Sequence, residues 1–219
     1  MSLKPSPNVK LSPQVIINMD NIFVVGNSWS MSCDEAPYTA FDILGLKERW
    51  EVTGITLDAQ AEYIINNQLV NNYRIIWLVG HHWRADPKGN GDYILPYPYE
   101  GKDPWDKLTR SLWFKKFTKK EWYWRTNALF VKAVLADFNF ENLLMIPIYH
   151  PSIVDHDWIK DSPCIWNYKL RDFAKNTNTL GYAGHMTYLG HEQLAPVLRN
   201  EIFKRWNISL PLIEHTLLN

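Results

Sequence analysis

Two runs of β-branched and aromatic residues each end at a glycine: Ile22-Phe23-Val24-Val25 at Gly26, and Tyr73-Arg74-Ile75-Ile76-Trp77-Leu78-Val79 at Gly80. Runs of this length and composition read as buried strands. Between them, Trp50-Glu51-Val52-Thr53 reads as another strand, ending at Gly54. A fourth falls in Glu141–Tyr149, where Pro147 argues against a long central strand. Helical periodicity fills the gaps. Asp58–Asn71 places Ala61, Ile64, Ile65 and Leu69 on one face, with Asp58 as the expected cap. Asp34–Leu46 suits a loop running into a short helix. Lys119–Phe138 fits one long helix, and Gly190–Trp206 another, with Pro196 near its start. Strands that alternate with helices predict an α/β protein: a three-layer α/β/α sandwich on a mostly parallel central sheet, flavodoxin-like in outline.

That topology makes a functional prediction. In open parallel sheets, ligands bind outside the carboxyl ends of the strands. The residues at those ends are Gly26-Asn27-Ser28, Gly54, Gly80-His81-His82 and Tyr149-His150. They are expected along one edge. The sequence divides into a leader over residues 1–20 and a single domain over 21–219. The domain carries an aromatic and basic insertion at about 89–125, in which Trp105, Trp113, Trp122 and Trp124 alternate with lysines and arginines.

Composition removes several function classes. Lys plus Arg equals Asp plus Glu at 23 each, so nothing in the overall charge draws the chain to nucleic acid or to an anionic membrane. The insertion reads as an amphipathic helix with tryptophans inward, rather than a nucleic-acid platform. No apolar run approaches the ~20 residues of a membrane helix, and residues 1–14 lack the apolar core of a secretory signal. The expectation is a soluble, cytoplasmic protein with Cys33 and Cys164 as free thiols. Gly26 stands without the further glycines of a dinucleotide or phosphate loop, so no cofactor is expected. His150, Asp155, His156 and Asp157 cluster in sequence, but their spacing fits no compact zinc motif, so no metal is expected either.

The residues that remain point to acyl chemistry. Ser28 follows the first strand, and His185 lies five residues before the Gly190-His191 pair that opens the last helix. A serine becomes a nucleophile when a base takes its proton, and imidazole is the side chain suited to that near neutral pH. The order Gly26-Asn27-Ser28, Gly54, Gly80-His81-His82, then His185 with Gly190-His191, resembles the SGNH (GDSL) hydrolases over most of the chain. The Gly-Asn-Ser-Trp-Ser form is similar to members carried by tailed bacteriophages.

The resemblance implies a serine esterase acting on a small acyl ester, such as an O-acetyl group on a carbohydrate, through an acyl-enzyme. Ser28 is then the nucleophile and His185 the base. The oxyanion hole is built from the backbone N–H groups of Ser28 and Gly54 together with His82. Asn27, Trp29 and Arg84 are the candidate substrate contacts. An acyltransferase on the same fold is the alternative, as is a weakened binding or structural protein associated with a virion. Three positions depart from the family pattern. Asn27 replaces an Asp, His82 stands where Asn is usual, and Tyr182 occupies the place of the Asp that orients the base. If another carboxylate does that work, Asp155 and Asp157 are the nearby loop candidates. The oligomeric state is left open.

Overall fold

The computed structural model describes residues 21–52, 57–80, 129, 131–136, 140–149, 154, 157, 159–182 and 184–215. The leader over 1–20, the insertion at about 89–125, and most of the helix expected over Lys119–Phe138 lie outside the described residues, although 131–136 is helical.

Among the described residues, four parallel strands form the sheet: β1 (Ile22–Gly26), β2 (Arg49–Glu51), β3 (Arg74–Val79) and β4 (Leu143–Pro147). Their order is β2-β1-β3-β4. The chain therefore leaves β1 to one side for β2, then crosses back to lay β3 on the other side. The crevice where that direction reverses, between the ends of β1 and β3, is where ligands settle in doubly wound sheets. Pro147 closes β4, the edge strand on that side among the described residues. A proline is tolerated there because its missing N–H interrupts no central ladder.

Successive strand residues face opposite sides of the sheet. On one side Ile22, Val24, Ile76, Leu78, Leu144 and Ile146 pack against α1 (Ala40–Ile43), α4 (Leu170–Asn176) and α5 (Tyr188–Trp206). On the other, Phe23, Val25, Ile75, Trp77, Val79, Leu143 and Met145 meet α2 (Leu57–Asn66), α3 (Leu69–Asn72) and the helical turns at 131–136. The fold is thus an α/β/α sandwich. Every residue of β1 and β4 is buried, as continuous apolar runs require.

Local departures from the expected elements have visible causes. The strand expected at Trp50–Thr53 pairs over Arg49–Glu51 instead, one residue earlier at its start. The single helix expected over Asp58–Asn71 is two. Gln68 adopts a left-handed conformation (φ 49°) that breaks the run between α2 and α3, and Asp58 lies inside α2 rather than before it. The last helix begins at Tyr188, ahead of the expected Gly190, and encloses Pro196. Among the described residues no helix is long and apolar enough to cross a membrane. Cys33 and Cys164 are free thiols.

Candidate active site

The chain leaves β1 through a turn that Asn27 organises. Its side-chain oxygen accepts the Trp29 N–H at 3.0 Å, and its backbone carbonyl accepts the Ser30 hydroxyl at 2.8 Å. These bonds fold residues 27–30 back on themselves, so that Ser28 is carried at the apex. Gly26 is required by this return. A β-carbon there would stand 1.9 Å from the Ser30 Oγ. From α2, Gln60 donates to the carbonyls of Gly26 and Leu78 at 3.0 and 3.3 Å and accepts the Trp77 indole N–H at 3.1 Å. One buried amide thereby ties the ends of β1 and β3 together beneath the turn. Nearby, Glu51 lines the underside of Gly26. Burial pushes its carboxyl up from the usual range, with the Arg49 charge partly opposing.

His185 arrives from the opposite end of the sequence. The short loop between α4 and α5 is closed by an antiparallel bridge between Leu180 and Met186 and by the Gly181 N–H bonded to the His185 carbonyl at 2.7 Å. Gly184 takes φ +76°, a conformation that suits glycine, and so turns the chain just before the histidine. The outcome is a close pair: His185 Nε2 lies 2.9 Å from Ser28 Oγ, across 157 positions of sequence. That is hydrogen-bonding distance, and a neutral imidazole with its free lone pair on Nε2 can receive the hydroxyl proton.

Behind the imidazole stands Trp29, only 2% exposed, its ring 5.8 Å from that of His185. The Trp29 indole N–H donates to the Tyr149 hydroxyl at 2.9 Å, and the two rings meet edge-on at 5.8 Å. Arg171 in turn lies over the Tyr149 ring, 5.6 Å from its centroid. Tyr149 follows β4, so the ends of β1 and β4 and the late loop all converge here. Deeper in α5, His191 is 3% exposed, and burial pushes its pKa down to about 4. Asp42 opposes that shift and the nearby His185 adds to it. Its place in the interior suits a neutral imidazole.

Of the residues singled out in the sequence, the structure brings together Ser28, His185, Asn27 and Trp29. Asn27 is 4% exposed and engaged in the turn, and Trp29 forms the wall behind the histidine. Gly54, His82 and Arg84 lie outside the described residues. So do His150, Asp155 and His156, while Asp157 is almost fully exposed and paired with Lys160 at 2.8 Å. Tyr182 points its side chain fully into solvent, while its backbone N–H donates to Glu35 Oε1 at 3.0 Å. Tyr149 lies at a strand end, where it was expected along this edge, whereas Glu35 sits in no motif, and each is joined to the site by a bond spanning more than a hundred positions.

No family model matches the chain, and no curated protein matches it. Among solved structures, the C-terminal catalytic domain of peptidoglycan O-acetyltransferase A from Streptococcus pneumoniae aligns with 89% of this chain and 99% of that domain, at 13% identity and a TM-score of 0.37. A likeness that slight does not bear on chemistry.

Proposed function

We propose that the chain is a serine esterase of SGNH type, with Ser28 as nucleophile and His185 as general base. The observation that carries this reading is the 2.9 Å approach of His185 Nε2 to Ser28 Oγ at the switch point of a parallel sheet. Ser28 Oγ attacks the ester carbonyl carbon as its proton passes to His185 Nε2. The tetrahedral intermediate collapses, the ester C–O bond breaks, and His185 returns the proton to the departing alkoxide. A water molecule then attacks the acyl-enzyme, giving its proton to His185, and the acid leaves as Ser28 is reprotonated. The developing oxyanion is met by the Ser28 backbone N–H, joined in this proposal by Gly54 N–H and the His82 ring. Arg84 is proposed to contact the substrate, a small acyl ester such as an O-acetyl group on a carbohydrate.

The test is covalent labelling by a fluorophosphonate probe, read by intact and peptide mass spectrometry. Wild-type protein should gain one adduct on Ser28, and Ser28→Ala should abolish it with little change in Tm. An unlabelled wild type, under conditions where a reference esterase reacts, would sink the proposal. Product analysis with and without a sugar acceptor then separates hydrolysis from transfer of the acyl group to a hydroxyl.

A further inference from the structure

We infer that Glu35 is a positioning residue for His185, holding the base through the main chain of its loop rather than by touching the ring. The inference rests on the reading of Ser28 and His185 as nucleophile and base. Glu35 lies on the loop that continues from Ser28, where Cys33 and Ala36 exchange both backbone hydrogen bonds and so fix its path. From there it grips the His185 loop at two points. Its side-chain Oε1 accepts the Tyr182 N–H at 3.0 Å, and its backbone carbonyl accepts the Tyr188 N–H at 3.0 Å. These points lie three residues before and three residues after His185. One residue of the nucleophile's loop thus brackets the base on both sides.

The fit around the carboxylate is close. A β-carbon on Gly181 would come within 2.0 Å of Glu35 Oε2, so the acid lies directly against the backbone of the base loop. That Oε2 atom is buried and, among the described residues, has no hydrogen-bond partner. The sequence pattern supplies the context. The acid that the family resemblance expects at position 182 is absent, and the main-chain N–H of that position is held by an acid from across the site. A Ser–His pair depends on the ring being kept within a few tenths of an ångström of its working place, and a displacement of about 1 Å can cost on the order of a hundredfold in rate.

Two readouts test this, one of them independent of catalysis. The first is the ¹H–¹⁵N spectrum of the His185 imidazole, assigned by its loss in His185→Gln. The second is the rate of fluorophosphonate labelling. Glu35→Ala should shift or broaden the His185 ring signals and slow labelling roughly tenfold or more. Glu35→Gln keeps an acceptor for the Tyr182 N–H and should stay near wild type in both. Unchanged ring signals in Glu35→Ala would overturn the inference. So would Glu35→Gln behaving like Glu35→Ala, because the charge and not the grip would then matter. Should Glu35→Ala not fold, Gly181→Ala displaces the same carboxylate with residue 35 intact, and the same two outcomes decide. A wild type that takes no label defeats the catalytic reading of Ser28, while the ring spectra still judge whether Glu35 holds His185.

Discussion

Trp29 is held by Tyr149 twice, by an edge-on ring contact and by the hydroxyl that accepts its indole N–H, and its ring also lies 5.8 Å from the imidazole of His185. A buried indole N–H that loses its acceptor costs about 1–2 kcal/mol. Tyr149→Phe should therefore lower stability by about that amount in chemical denaturation. It should also slow labelling of Ser28 severalfold, because the wall behind His185 loosens. A variant as stable and as reactive as wild type would show that the hydroxyl contributes nothing there. At this scale the sequence was partly legible. Ser28 and His185 stood out because strand end, glycine and late histidine form a recognisable order, and the structure puts them in contact. Glu35 was invisible because its bonds go to main-chain N–H groups, which any residue at 182 or 188 other than proline would present. The exposed side chain of Tyr182 carries no trace of the grip on its backbone.

The break between α2 and α3 belongs to the scale of the element. Gln68 sits at φ 49°, where its β-carbon is strained, and its side chain is exposed. Asn71 N–H and the Asn72 amide both bond to its carbonyl, so the kink that turns the chain toward β3 is built into the backbone. Glycine relieves strain of roughly 1–2 kcal/mol at a left-handed position and gives back about half of it in unfolded-state entropy. Gln68→Gly should accordingly raise stability by up to about 1 kcal/mol, seen as a Tm a few degrees higher in a thermal melt. A lower Tm would mean that the Gln68 side chain makes contacts worth more than the strain. The same residue explains why periodicity merged two helices. Apolar spacing runs smoothly through Ile64, Ile65 and Leu69, and no glycine or proline marks the turn. β1, β3 and β4 were read correctly in kind because each is built on a continuous apolar run, and strand ends moved by a residue or two because pairing partners, which sequence does not name, decide where a ladder stops.

Over the whole molecule, the alternation of strands and helices was enough to predict a layered sheet. The strand order was not, since it depends on which side each crossover takes, and no residue records that choice. His191, which the sequence places on the last helix as a packing or capping residue, is buried one turn into α5, on the side packed against β1 and α1. Its burial has a consequence for the stability of the entire fold. The imidazole has a pKa of about 4 when folded, against an ordinary value of 6.5, chiefly because burial disfavours the cation. Above pH 6.5 both folded and unfolded chains hold it neutral, and it contributes its full share. As the pH falls below 6.5 the unfolded chain binds a proton that the folded one refuses, so stability is lost progressively until about pH 4. Below that both states are protonated and the loss stops. The linkage amounts to roughly 3 kcal/mol in all, of which about 2 kcal/mol is gone by pH 5. Asp42, held below the usual carboxylate range because bonds from Arg49 and Thr39 outweigh its burial, keeps those bonds in a His191→Leu variant and loses only its attraction to the imidazolium. Subtracting the urea-unfolding stability of that variant from that of wild type between pH 8 and pH 4 thus isolates the histidine. The difference should fall across the window from 6.5 to 4 and be flat above it. A difference flat throughout would mean that His191 accepts its proton in the folded state as readily as in the unfolded chain, and that α5 opens around it without cost.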